Sequence, residues 1–178
     1  VDHQRRAPAQ QRVDRILAKD PKHTEGILAR YFIMDQRGQR DEATAWLATS
    51  WNANPESMPL GAALCNTYLA RKDYLKALAV ANEIQGKHPQ SPDSYRLLGT
   101  ALLADGKYAS AISNFRKALE LGPNNLGSLQ LLASAERASG EPKAALKTYD
   151  RMLAVDDKSL PALMGKAEID MQLKDYDG

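Results

Sequence analysis

The chain has 178 residues, 43% hydrophobic and 6% aromatic, which suits one globular domain or one short repeat array whose core is Ala and Leu rather than large rings. Lys and Arg total 24 against 22 for Asp and Glu, and the signs interleave, so a net charge of +2 argues against a nucleic-acid surface. Cys65 is the single cysteine, which rules out an internal disulfide and a thiolate metal cage, and no run of about 18 apolar residues offers direct membrane insertion.

Val1 to Gln11 is polar and Arg-bearing, without the apolar run of a signal peptide. Ala9 opens a register that returns as Ala43, Ala77, Ala111 and Ala145, each 34 residues on, and Pro21, Pro55, Pro89 and Pro123 keep the same step, with Asp157 in place of a fifth proline. Val13, Leu47, Ala81, Phe115 and Tyr149 hold a third register in phase. Residues 9–21 therefore read as the second helix of a partial repeat, followed by repeats at 24–57, 58–91, 92–125 and 126–159, and by the first helix of another partial repeat at 160–178. The unit at 24–57 is the least regular, because Arg30 and Tyr31 stand where later units carry Leu98 and Gly99. The unit at 58–91 keeps Leu64, Tyr68, Ala77 and Pro89, with Cys65 in the small-residue position. The clearest unit runs over 92–125 with Tyr95, Leu98, Gly99, Leu102, Ala111, Phe115, Ala118 and Pro123. In the unit at 126–159, Leu129, Leu132, Ala133, Ala145 and Tyr149 fit, whereas Glu136, Met152 and Asp157 depart.

Short polar turns at Gly38, Lys72-Asp73, Asp105-Gly106, Ser139-Gly140 and Lys174-Asp175 predict antiparallel helix pairs. Ser91 before Pro92, and Ser159 before Leu160 and Pro161, are expected to cap first helices. Gly99, Ala133 and Ala167 are expected where two helices approach closely, opposite Ala111 and Ala145; Cys65 in the same position reads as a small buried hydrophobe. Both ends fall inside a repeat, so the natural protein is expected to continue on both sides, and open ends could associate end to end.

The residues at 92–125 resemble the tetratricopeptide repeat pattern of an aromatic, Leu-Gly, then Ala, an aromatic, Ala and Pro, with Leu102 where Tyr is usual. The resemblance implies an all-α fold, a right-handed superhelix of antiparallel hairpins (an α-α superhelix). It also implies a concave groove lined by the stripe beside the core stripe of each first helix. That stripe reads Leu28, Phe32 and Asp35; Ala62, Asn66 and Leu69; Arg96, Thr100 and Leu103; Gln130, Ser134 and Arg137; and Met164, Glu168 and Met171. Arg96 and Arg137 could receive an anion, Asn66 a backbone amide and Phe32 an apolar anchor, the alternative being a solvated, empty face. The family's heat-shock-chaperone binders begin a basic clamp with Lys and Asn on the first hairpin; Leu28 and Phe32 disfavour that partner. The wording of Ala77 to Pro89 and Pro92 to Leu103 is similar to long bacterial repeat lipoproteins of exopolysaccharide and PEP-CTERM surface-sorting systems.

Catalytic chemistry is not legible. His3, His23 and His88 have no His or Cys three or four residues away, and no Gly-rich phosphate loop, Gly-x-Ser-x-Gly elbow or Cys-His constellation occurs. Trp46 and Trp51 flank Leu47 and read as packing residues before ligand-stacking ones. The expectation is a scaffold without catalysis, cofactor or metal that holds a peptide, a partner protein or a glycan polymer, placed outside the cytoplasm by the lipoprotein likeness. The alternatives are a cytoplasmic adaptor or cochaperone, and the recruiting arm of an enzyme whose catalytic domain lies elsewhere.

Overall fold

The computed structural model describes residues 3–176, with side chains placed over 10–172. Its elements are all helices: α1 (His3–Lys19), α2 (Thr24–Gln36), α3 (Arg40–Ala53), α4 (Met58–Ala70), α5 (Tyr74–Lys87), α6 (Pro92–Ala104), α7 (Tyr108–Leu121), α8 (Leu126–Ala138), α9 (Pro142–Val155) and α10 (Leu160–Tyr176). The chain divides into two compact units, Val1–Lys87 and His88–Gly178. In the first, α2 pairs with α3 and α4 with α5, and α1 and α3 pack on the hairpins that follow them. In the second, α6 pairs with α7 and α8 with α9, α7 packs on α8, and α9 on α10. The expected all-α hairpin fold is thus present in each unit.

The turns inside hairpins share one backbone device. Gly38, Gly106 and Gly140 adopt φ of +78°, +75° and +81°, and the equivalent Lys72 takes the same left-handed region at 60°. A Cβ on any of the three glycines would meet nothing within 4 Å, so backbone angle and not space selects glycine there. The turn expected at Lys174-Asp175 does not form, and α10 runs on to Tyr176. A left-handed lysine costs about 1–2 kcal/mol, which the packing of a following helix offsets at Lys72; none follows α10 among the described residues.

Ser91 makes no side-chain cap bond to α6, contrary to expectation. Its carbonyl instead accepts the Ser94 amide and hydroxyl, the hydroxyl at 2.8 Å, while Pro92 removes one amide that would need a partner. Side-chain capping occurs where the sequence reading did not place it: His23 Nδ1 accepts the Gly26 amide at 3.1 Å and Asn125 Oδ1 accepts the Ser128 amide at 2.8 Å.

Each core is built on close helix approach. A Cβ on Gly99 would stand 2.6 Å from the Phe115 ring, on Gly61 2.6 Å from Ile84 and 2.8 Å from Trp51, and on Gly165 2.2 Å from Tyr149. Phe115 and Trp51 are fully buried behind these glycines. Ala133 is buried as expected, but Ala167 is exposed. It lies on the α10 face where a second helix of its own hairpin would pack, whereas Gly165 faces α9. Pro123 also sits exposed, at the turn after α7, where it stops the helix instead of filling the core. Tyr68 and Tyr95 are half-buried; Leu98, Ala111, Ala118, Ala145 and Tyr149 are buried.

Two buried groups depart from hydrocarbon packing. The Cys65 thiol, its sulfur 3.4 Å from the Ala77 carbonyl, is pushed up to about 11 by burial away from water. Glu136 is 2% exposed, accepts the Thr148 hydroxyl at 2.7 Å and pairs with Arg116 at 3.0 Å. Its buried charge is tolerated because both oxygens have partners.

Gly99→Leu is expected to overpack against Phe115 and cost about 1–3 kcal/mol, read as a melting temperature lower by roughly 2–4 °C per kcal/mol. Gly86→Ala, where a Cβ meets nothing, should be neutral or stabilise by up to about 1 kcal/mol; equal losses from both would refute the close-approach account. Arg116→Ala should destabilise by about 1–3 kcal/mol, and adding Glu136→Leu with Thr148→Val should restore most of that loss, as judged by denaturant melts. For Cys65, the unfolded thiol ionises from about pH 9.0 while the folded one stays protonated to about 11, so stability falls as pH rises through that window. Native protein should resist thiol modification at pH 8 and react fully in guanidinium; rapid native labelling would show an accessible thiol.

Candidate functional site

The stripe expected on the first helices is placed at or near the surface, and its members differ in what they already hold. In the first unit, Phe32 on α2 is 60% exposed, Leu28 and Asp35 are half-buried, and α2 touches α4, which carries exposed Asn66 and half-buried Ala62 and Leu69. Residues 28, 32 and 35 lie three and four apart and share one side of α2. Asp35 is 3.9 Å from Arg40, a loose pair in solvent.

In the second unit the stripe is more polar. Thr100 and Ser134 are turned back onto their own helices, donating to the Arg96 and Gln130 carbonyls at 2.8 and 2.9 Å. Leu103 packs on the core, Gln130 is exposed, and Met164 and Met171 of α10 stand 62% and 67% exposed. Both arginines have acidic neighbours. Arg96 pairs with Asp93 at 2.9 Å within α6, and Arg137 on α8 pairs with Glu168 on α10 at 2.8 Å. The Tyr149 hydroxyl and then Glu168 hold Arg137 firmly protonated. An incoming anion would have to compete with these carboxylates. Arg137 and Ser134 also line a cleft of ≈ 640 Å³ with Pro142, Ile169 and Gln172.

The sequence reading missed the polar contacts that organise the irregular hairpin at 24–57. Tyr31, in the position of Gly99, places its hydroxyl 2.9 Å from Thr67 of α4. Arg30, in the position of Leu98, lies over the Trp46 ring, 4.5 Å from its centroid. The signal was the misfit of Arg30 and Tyr31 to the repeat; nothing in sequence alone gave their partners. Trp51 is buried core, as expected of a packing residue. No group of three or more metal-binding side chains occurs among the described residues, and no helix there is long and apolar enough to cross a membrane.

Two family models, each described as tetratricopeptide repeat, match residues 62–124 and 102–163, and between them span residues 62–163. The chain belongs to the tetratricopeptide repeat family. No curated protein matches it in sequence. Among solved structures, a thermophilic tetratricopeptide protein of Thermus thermophilus aligns with TM-score 0.74 at 18% identity, over 94% of this chain and 91% of that one. MamA of Desulfovibrio magneticus aligns with TM-score 0.70 at 17% identity over 87% and 88%. YrrB, described as having an unusual peptide-binding site, aligns with TM-score 0.66 at 13% identity over 91% and 84%. At such identities the likeness establishes the tetratricopeptide hairpin fold.

Proposed function

We propose that this tetratricopeptide chain is a non-catalytic scaffold that binds a peptide or partner protein along the exposed stripes of its first helices. The observation that carries this reading is Phe32, a large apolar side chain 60% exposed on the same side of α2 as Leu28, with the exposed Asn66 at the equivalent position of α4, which α2 touches. An apolar anchor on one first helix and a side-chain amide on the next suit an extended segment, whose side chains seek hydrocarbon and whose backbone seeks hydrogen bonds. Gln130, Met164 and Glu168 offer the same mixture in the second unit, and interaction scaffolding is the general work of the family. The likeness of Ala77 to Pro89 and Pro92 to Leu103 to surface-polymer lipoproteins supports, as the finer reading, a partner in bacterial exopolysaccharide or surface-protein sorting.

The test is capture of partners from the source cell with the full-length protein, followed by calorimetry of the captured partner against variants. Phe32→Ala is expected to weaken binding by about tenfold or more, as removal of a buried anchor does, with melting unchanged. Arg96→Ala with Arg137→Ala should weaken an acidic partner and leave a neutral one alone. Identical affinity for all variants would place the binding surface elsewhere.

A further inference from the structure

The first unit carries a second cleft, away from the stripe just described. Asp14, Leu17 and Ala18 of α1, Pro21 of the following turn, Arg30 of α2 and Trp46 of α3 line a space of ≈ 480 Å³, within the usual size of a small-ligand site of roughly 300–1,000 Å³. Arg30 is two residues from both Leu28 and Phe32, about 200° around the helix, so this cleft and the stripe occupy different sides of α2.

Arg30 brings to this cleft hydrogen-bond donors that no described residue accepts, and a second unpaired donor lies buried within the Trp46 ring that forms part of its wall. Arg30 is half-buried, yet it has no acidic partner within salt-bridge distance among the described residues. The other half-buried arginines among the described residues, Arg96 and Arg137, both have one. The Trp46 indole N–H is buried and has no hydrogen-bond partner, a state that costs free energy in a native fold and calls for an explanation. With its guanidinium carbon 4.5 Å from the Trp46 ring centroid, Arg30 is held on the ring face by the cation-π attraction while its N–H groups keep no protein acceptor among the described residues.

We propose that this cleft is a carboxylate-binding site, in which Arg30 receives a monoanionic carboxylate joined to a small apolar group. A fork of parallel N–H donors matches a carboxylate. Asp14, held by Gln10 at 2.8 Å, stands on the same cleft and opposes a second negative charge, which disfavours phosphate. Leu17, Ala18 and Pro21 supply the apolar wall, and the guanidinium covers the Trp46 face against a stacking base. The carboxylate comes from a peptide, as its C-terminus or as an acidic side chain.

The experiment follows the two indole N–H signals of the full 15N-labelled chain, from Trp46 and Trp51, assigned with Trp46→Phe. N-acetyl-leucine, N-acetyl-leucinamide, the α-amide of N-acetyl-glutamic acid and inorganic phosphate are titrated separately. A saturable shift of the Trp46 signal with N-acetyl-leucine supports a C-terminal ligand, and one with the glutamic derivative supports an acidic side chain. The shift should be absent with leucinamide and lost in Arg30→Gln, whose unchanged Trp51 signal reports an intact fold. Phe32→Ala should leave it unaltered, so failure here and failure of the first-helix stripe are separable. No Trp46 shift with either carboxylate, an equal shift with leucinamide, a stronger response to phosphate, or a shift that persists in Arg30→Gln overturns the site.

Discussion

Everything in each unit depends on how near two helices can come. Where Gly99 faces Phe115, or Gly61 faces Trp51 and Ile84, the missing methyl group lets a ring or branched chain lie directly on the opposing backbone. The gain is dispersion contact and apolar burial over the whole side chain, roughly 1.5–3 kcal/mol for a large residue taken out of water. A hairpin of this length cannot bury its own apolar face, so that contact, repeated against the next helix, is what makes a stack of hairpins fold.

The helices and their pairing were legible because they follow from patterns that neighbours cannot override: a 34-residue period, small residues in fixed phase, and glycine at the turns. The errors came where a residue's role depends on something not adjacent in sequence. The register alone gives Ala167 a buried position, but burial needs a facing helix. The analogy with Lys72-Asp73 gives Lys174-Asp175 a turn, but a left-handed lysine needs packing beyond it to hold the angle. Pro123 carried the periodic signal most plainly and lies outside the core, since its task is to end α7.

The candidate sites divide in the same way. Exposure of Phe32, Asn66 and Met164 follows from helical spacing once the core stripe is known. The electrostatic state of Arg96 and Arg137 does not, because Asp93 is reached by a turn of helix and Glu168 by a contact between α8 and α10. Arg30 shows the value of a misfit. Charge in a position where the repeat asks for Leu must find neighbours, water or a ligand, and Trp46 meets the guanidinium with its ring face and not with a hydrogen-bond acceptor.

The two kinds of glycine in this chain leave different marks on how repeats can diverge. A glycine chosen for its backbone angle can be lost by one repeat alone, as Lys72 illustrates, because no neighbour touches the added side chain. A glycine chosen for its emptiness is tied to the bulk that fills it. In the repeat before Gly99 and Phe115, the same two positions hold Cys65 and Ala81, both fully buried, a larger residue on one helix matched by a smaller one on the other. Substitutions at such positions are energetically coupled, so added bulk on one helix is accommodated only with a matching loss on the other.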